Sequence, residues 1–335
     1  MNGTPRNTSH GLEARPSAGG SAAGEAEIRV HDALTAWEAA GLCAAARDRM
    51  RGATRLWLNL ENVKVTDAVG LAALCQSVRF AESRGVSTSV LPSPAVYRAL
   101  LTAGLLDELP LAGPGAGPAQ PIEADEPDLL ARQASDPYLA RAARVAVRPP
   151  AWDELALFER WAQEPLLDQM VGSELLYLCR HLGPWHPDFV ARALHDPTAL
   201  TVLVCPLAAP EPIGFVRLYG VHLVEGFAFL ETAVVQPRAL RAGIGIEASR
   251  LVLAYAMDAL GIRRVESKVF AYNVLSANSL RRNGFQQEGV LREARTYEGR
   301  RWDILVFAIL EDGMRRERRR DRFSSFGFWP DDARP

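Results

Sequence analysis

Between positions 112 and 121 the chain reads Ala112-Gly113-Pro114-Gly115-Ala116-Gly117-Pro118-Ala119-Gln120-Pro121. Alternating Gly and Pro removes helix and sheet donors and favours turns and extended chain, so this stretch reads as a linker. The acidic run Glu123-Ala124-Asp125-Glu126-Pro127 continues it. The break divides the chain into two folding segments, of about 90 and about 170 residues, each in the size range of a domain. The organisation expected is an arm over 1–24, a small domain over 25–111, a linker over 112–140, a larger domain over 141–313 and a basic, aromatic tail over 314–335. The arm is rich in Gly, Ser, Ala and Asn and short of large apolar residues, a composition that favours disorder.

Composition supports globular domains. Hydrophobic residues make up 48% of the 335, enough for two cores. The formal net charge of −2 supplies no overall electrostatic case for a nucleic-acid partner. Cys43, Cys75, Cys179 and Cys205 lack the spacing of a metal site or a redox pair, so buried thiols in a reducing cytoplasm and no bound metal are expected. The first residues lack the apolar core of a signal peptide, and no apolar run is long enough for a membrane span.

In the first segment, strand-like alternation at Glu27–Val30 precedes a helical composition from Ala33 to Met50. Arg55–Leu60 alternates again. Thr66 or Asp67 then stands where a helix running to Ser83 needs a cap. A strand at Val86–Leu91, a helix at Ser93–Ala103 and a stop at Gly104 complete a small α/β unit. Leu58-Asn59-Leu60 followed by Val65-Thr66-Asp67-Ala68-Val69-Gly70-Leu71, with Arg84-Gly85-Val86 and Ala103-Gly104-Leu105-Leu106-Asp107 later, resembles the signature of STAS domains, the anti-sigma-factor-antagonist fold. The resemblance implies a partner-binding rather than catalytic role. In switchable STAS domains a Ser after the Asp is phosphorylated; here that position is Ala68, which has no hydroxyl.

The second segment alternates strands (Arg144–Arg148, Leu200–Cys205, Pro212–Leu218, Gly226–Val235, Arg264–Ala271, Trp302–Leu310) with helices (Asp153–Ala162, Gly245–Leu260, Leu275–Asn283). Its chemistry centres on the junction after Val235. There the chain passes through Gln236-Pro237-Arg238-Ala239-Leu240 into Arg241-Ala242-Gly243-Ile244-Gly245 and a long helix. Small residues let backbone approach a ligand, and the unpaired N–H groups of a helix start favour an anion such as a pyrophosphate. A tight strand-to-helix turn needs the same residues, so the junction alone leaves both readings open.

Further along, Asn273-Val274-Leu275-Ser276 is followed by Gly284-Phe285 and Glu288-Gly289. With the loop, the earlier Trp161-Ala162-Gln163-Glu164-Pro165 and the later Tyr297-Glu298-Gly299-Arg300-Arg301-Trp302-Asp303, this set resembles the GNAT acetyltransferase superfamily. Within it, the likeness is to the ribosomal-protein N-terminal acetyltransferase-like branch. The resemblance covers residues 144–312 and implies a mixed, bent sheet splayed open where acetyl-coenzyme A inserts. The fold class expected is therefore α/β in two domains, STAS-like then GNAT. The activity implied is direct transfer of acetyl from acetyl-CoA to a primary amine, a peptide N-terminus or a small molecule. A non-catalytic scaffold with a degenerate acetyltransferase fold is the alternative.

The cofactor-binding residues implied are Val235, Arg241, Ala242, Gly243, Ile244, Gly245, Asn273 and Ser276. The superfamily usually places Gln or Arg where this chain has Leu240. Ser276 matches the hydroxyl proposed to protonate the leaving thiolate, and it also suits a helix start. For the base, the branch's carboxylate position is occupied by Arg295, which stays protonated near neutral pH. Glu231, on the strand before the loop, is the leading candidate, with Glu288, Glu293 or a water chain as alternatives. His181, His186 and His195 suggest surface or structural roles rather than a site. The tail run from Arg315 to Arg322 reads as a solvated helix end.

Overall fold

The computed structural model describes residues 12–14, 24–113, 116–117, 137–209, 211–235 and 243–329. The chain forms two compact units. The first comprises residues 1–66, 70–136 and 328–335, the second residues 67–69 and 137–327. Among the described residues, no helix is long and apolar enough to cross a membrane.

The first unit is a four-stranded sheet in the order β1-β2-β3-β4: β1 (Leu12–Ala14), β2 (Glu25–Leu34), β3 (Arg55–Thr66) and β4 (Ser87–Pro92). β2, β3 and β4 run parallel, joined by helices α1 (Ala39–Arg49) and α2 (Ala68–Ser83), and α3 (Pro94–Thr102) follows β4. Ile28, Leu56, Leu58, Leu60, Leu71 and Leu74 form a fully buried core between sheet and helices. Within the stretch read as a disordered arm, Leu12–Ala14 pairs antiparallel with Ile28–Val30, using the otherwise open edge of β2.

The expected helix from Ala33 starts late. Leu34 stays in β2, where it pairs with Thr66 and its carbonyl accepts the Thr66 hydroxyl at 2.7 Å. Thr35 and Glu38 then make a capping-box contact, in which the Glu38 carboxylate accepts from the Thr35 backbone N–H at 2.9 Å and from its hydroxyl at 2.6 Å. Between the two capping candidates for α2, Asp67 makes the cap: its Oδ1 accepts from Val69 N at 2.9 Å. Trp329, near the end of the described chain, is buried and stacks on Phe80 with ring centroids 4.2 Å apart.

The second unit carries an eight-stranded mixed sheet in the order β11-β12-β10-β9-β8-β7-β6-β5. Its strands are β5 (Ala140–Arg141), β6 (Val145–Arg148), β7 (Leu200–Pro206), β8 (Gly214–His222), β9 (Phe227–Val234), β10 (Arg264–Phe270), β11 (Gln286–Tyr297) and β12 (Arg300–Leu310). Residues 138–140, placed by composition in the linker, belong here: Leu139 N bonds Val147 O at 2.9 Å and Ala140 pairs with Val147 in the β5–β6 ladder.

One face of the sheet is covered by α4 (Leu155–Ala162), α6 (Glu174–Leu182) and α7 (Pro187–Leu194), with the short α5 (Pro165–Met170) between α4 and α6. Leu155, Phe158 and Trp161, at helical spacing on α4, pack there with Phe189 and with Phe215 of β8. On the other face lies α8 (Ile244–Ala259), where Ser249 Oγ meets Thr232 Oγ1 of β9 at 2.9 Å. α9 (Val274–Arg282) follows β10, and α10 (Glu311–Asp321) ends the fold.

The basic run is not a free charged end. Arg318 bonds the buried Asp258 of α8 at 2.6 Å, Arg320 pairs with Glu317 at 3.3 Å, and Arg315 pairs with Glu311. Phe326 N donates to the second oxygen of Asp258 at 2.9 Å, so the segment that directly follows α10 packs on the second unit as far as Phe326. All four cysteines are free and buried, and burial pushes the Cys43, Cys75 and Cys179 thiols up to about 12.

Candidate active site

Seven adjacent strand pairs make up the larger sheet, and among them only β9 and β10 run parallel. Their ladder is short: Phe227–Phe229 pairs with Arg264–Glu266 and pairing then stops, although β9 continues to Val234 and β10 to Phe270. At the fork, Ser267 Oγ donates to Leu230 O at 3.0 Å and closes the apex. Beyond it, two strand edges face one another without pairing. Each offers backbone N–H and C=O groups that an extended amide chain can use.

A cleft of about 380 Å³ fills this fork. Leu230 to Thr232 and Val234 line one side and Ser267 to Val269 the other, with the starts of α8 and α9 at its end. α8 opens on Gly243 in the left-handed conformation (φ 73°, ψ 13°), with no side-chain capping bond. A left-handed helix start suits glycine because it has no Cβ, and a glycine in the capping position offers the first-turn N–H groups no side-chain acceptor of its own. Gly245 serves a second need: a Cβ there would lie 3.0 Å from Val234 Cγ2. Glu247, one turn in, is held by Arg144 Nε at 2.7 Å.

α9 starts differently. Asn273, 3% exposed, caps it through Oδ1, which accepts from Ser276 N at 3.0 Å. Its Nδ2 donates both to Met170 O at 2.9 Å and to Ser276 Oγ at 2.8 Å. The Ser276 hydroxyl thus receives one hydrogen bond from within the protein and keeps its own proton for another acceptor. Tyr272 adds a second tie, its hydroxyl donating to Gln169 O at 2.7 Å. Both Asn273 and Ser276 line the cleft.

Glu231 lines the same cleft from β9. Burial pushes its carboxyl above the ordinary value. A hydrogen bond from Ser173 and the charge of Arg217 pull it down, and Glu174 pushes it further up. Ser173, buried at the start of α6, accepts from Leu176 N at 3.2 Å through the oxygen whose proton serves Glu231.

The cleft therefore gathers Gly243, Gly245, Asn273, Ser276 and Glu231. Other expected residues lie apart. Val235 N is spent on Ile213 O at 2.8 Å and its side chain packs against the aromatic core, so Val234 rather than Val235 faces the cleft. Ile246, one helix position pair beyond Ile244, supplies the aliphatic wall. Arg241 and Ala242, with Leu240, lie outside the described residues. Glu288 is bound to Arg264 at 2.6 Å, which holds its carboxyl below the ordinary range, and Glu293 pairs with Arg301 at 3.0 Å; neither lines the cleft. Arg295 lies over the Phe270 ring at 4.7 Å. His186 caps α7 through Nδ1, His181 packs on Tyr177, and His195 ends α7 with its pKa lowered by burial.

Two residues that sequence reading missed stand on the cleft wall or support it. Arg217, 3% exposed on β8, lines the cleft, and Ser173 supports Glu231. A lone Arg within Gly214-Phe215-Val216-Arg217-Leu218, and a Ser one residue before Glu174, were the available signals. Among the described residues, no group of three or more His, Cys, Asp or Glu side chains is placed to hold a metal ion.

Residues 120–286 match the acetyltransferase (GNAT) domain family. The chain carries a GNAT acetyltransferase domain. The match begins in the expected linker and ends at Gln286, the first residue of β11, before β12. Among curated proteins, the chain is 36% identical over 75 residues to the uncharacterized N-acetyltransferase YoaA of Bacillus subtilis (strain 168), which is 22% of this chain. It is 33% identical over 69 residues, 21% of this chain, to the uncharacterized N-acetyltransferase p20 of Bacillus licheniformis. The chain spans about two fifths of the length of these relatives, 42% and 39%. Among solved structures, similarity extends to a Vibrio cholerae spermidine N-acetyltransferase in complex with CoA and spermine, with 17% identity and a TM-score of 0.44. That alignment covers 51% of this chain and 98% of the other. It also extends to a ribosomal L7/L12 alpha-N-protein acetyltransferase in complex with coenzyme A, with 16% identity and a TM-score of 0.43 over 51% and 97% of the two chains. The smaller N-terminal unit lies almost wholly outside the family match.

Proposed function

We propose that the GNAT domain is an acetyl-CoA-dependent N-acetyltransferase, transferring acetyl directly to a primary amine in the cleft between β9 and β10. The observation that carries this reading is the early end of the one parallel ladder described in the larger sheet, with Glu231 and Ser276 both placed on the opening it leaves. The free edges of β9 and β10 suit the amides of a pantetheine arm, and the uncapped start of α8 at Gly243 suits a pyrophosphate. Acetyl-CoA supplies the activated acyl group as a thioester.

The chain's own residues handle two protons. An alkyl amine has a pKa of about 10 and must give up a proton before its nitrogen can attack. Glu231, raised by burial and facing the cleft, accepts that proton directly or through one water. The amine nitrogen bonds to the acyl carbon and the carbon–sulfur bond breaks. The leaving thiolate takes the proton of Ser276, whose oxygen accepts from Asn273, and the second proton that the nitrogen sheds as it becomes an amide restores the Ser276 hydroxyl. Calorimetric titration of the purified protein with acetyl-CoA tests the binding half: saturable binding at one site per chain is expected, and no binding overturns the proposal. Binding without thiol release on a broad panel of amines and peptides favours the scaffold alternative.

For the first unit we infer a STAS-like partner-binding or regulatory role. It is supported by the signature around Asp67 and by its occurrence at the β3–α2 turn of a parallel sheet. Asp67 is engaged as a helix cap and Ala68 offers no phosphorylation site, so regulation by a hydroxyl switch at that turn is not expected. Comparing the kcat and KM of the full chain with those of a chain beginning at Pro137 tests this role. Identical constants for every acceptor would remove regulation in cis from the reading.

A further inference from the structure

Lysine occurs twice in this arginine-rich chain, as Lys64 and Lys268. The two cationic side chains differ as nucleophiles: a guanidinium stays protonated, whereas an ammonium can lose its proton and attack a carbonyl. Lys64, in the first unit, is held by Asp32 at 2.6 Å. Lys268 is exposed on β10 and lines the cleft of the second unit. Among the described residues no carboxylate pairs with it, and its Nζ lies 5.8 Å from the centroid of the Phe229 ring.

Strand register fixes where that amine stands. Phe229 of β9 and Glu266 of β10 are the last pair of the parallel ladder. Two residues further on each strand come Glu231 and Lys268, which share the face of Phe229 and Glu266 because strand side chains alternate. They therefore stand on opposite walls of the fork, one residue beyond the Ser267 bond that closes its apex. The Lys268 stem, four flexible carbons long, suits a gap wider than the paired-strand spacing of about 4.8 Å. Thr232 meets Ser249 of α8, so its neighbour Glu231 points to the face away from α8, where Ser173 of α6 bonds it. A coenzyme whose pyrophosphate sits at the start of α8 enters from the α8 side. Its thioester then passes through the fork to the face that Glu231 and Lys268 occupy.

We propose that Lys268 is an internal acceptor: when no external amine occupies the cleft, its Nζ takes the acetyl group from the acetyl-CoA bound to the same chain. This rests on the acetyl-transfer function proposed above and adds a modification site to it. The ammonium gives one proton to Glu231, the neutral nitrogen bonds to the acyl carbon, and the carbon–sulfur bond breaks. The nitrogen sheds a second proton as it becomes an amide. The leaving sulfur takes one of the two protons and the other passes to solvent, so the products are acetyl-lysine, the CoA thiol and one released proton.

The test incubates the full-length protein with saturating acetyl-CoA and no added amine, and follows acetylation by intact and peptide mass spectrometry. Lys268 is expected to gain one acetyl group at least about tenfold faster than Lys64, because a thioester bound beside it raises its effective concentration. The rate per chain should be unchanged on dilution of the protein. Excess CoA, competing for the cleft, should slow modification of Lys268 and not that of Lys64. Lys268→Arg, which keeps the positive charge, should abolish the fast mass increase. Equal rates at the two lysines, a rate per chain that falls on dilution, or a variant that keeps the fast increase overturns the assignment. Calorimetry and thiol release with added amines separate its failure from that of the function above. A protein that binds acetyl-CoA and acetylates external amines but leaves Lys268 unmodified overturns the internal acceptor alone, whereas absence of acetyl-CoA binding overturns both.

Discussion

The two units begin a helix after a strand in opposite ways. At the β3–α2 turn, Asp67 supplies the acceptor that the first turn needs, and β3 stays paired with β4 from Arg55 to Leu60. At the β9–α8 turn, the helix starts on a left-handed glycine without a side-chain cap, and β9 has already left its parallel neighbour. The first arrangement satisfies its polar groups internally and reads as scaffold. The second leaves strand edges and helix N–H groups for something else to satisfy. The same strand-to-helix connection thus serves stability in one unit and ligand chemistry in the other, and the difference lies in which polar groups the protein pairs for itself.

The contrast can be broken most severely at Gly245. Gly245→Glu introduces a Cβ against Val234 and a negative charge where a pyrophosphate is expected. Acetyl-CoA binding should weaken by more than about a hundredfold, as read by calorimetry, because the introduced carboxylate then meets a like charge on the ligand at the helix start. The smaller unit should keep its own unfolding transition. Next comes Glu231→Gln, expected to lower kcat by ~10²–10⁴ with acetyl-CoA affinity retained.

The Glu231→Gln variant also has a stability signature. Because burial raises the Glu231 pKa, its carboxyl favours the folded state while protonated, and that contribution is lost as pH rises through the folded pKa. The Gln variant should therefore unfold at a higher temperature than wild type at neutral pH. The gain should vanish below the ordinary carboxylate range, where both side chains are neutral.

Ser276→Ala should lower kcat by ~100-fold while leaving the α9 cap intact, since the Ser276 backbone N–H, not its hydroxyl, satisfies Asn273 Oδ1. The smallest effect belongs to the closed turn. Asp67→Ala should cost about 1 kcal/mol of stability, the usual weight of an N-cap, and leave thiol release unchanged.

Much of this contrast was legible in the sequence. Periodicity placed α4, whose Leu155, Phe158 and Trp161 are all buried, and Asn273 three residues before Ser276 marked a helix start. Thr35-x-x-Glu38 carried the signal for the real start of α1, but the Ala-rich composition downstream of it drew the expected start back to Ala33, where strand pairing with β3 takes precedence. β11 escaped notice because most of its side chains are exposed and it has no apolar alternation; its pairing to β12 depends on backbone bonds and is broken by a bulge at 292–294, with Glu293 at φ 51°. Arg217 was invisible for another reason. Its importance comes from standing opposite Glu231, and register between strands is set by the turns and packing of the whole sheet rather than by either strand alone.

The central claim is that the parted strands form a catalytic cleft with Glu231 as its base. Amine-dependent thiol release from acetyl-CoA, followed across pH in wild type and Glu231→Gln, tests it most directly. The account predicts a kcat/KM that falls on the acid side with an apparent pKa above the ordinary carboxylate range, and loss of that limb in the variant together with most of the rate. A wild type without amine-dependent thiol release, or a variant that keeps both the rate and the acid limb, would contradict it.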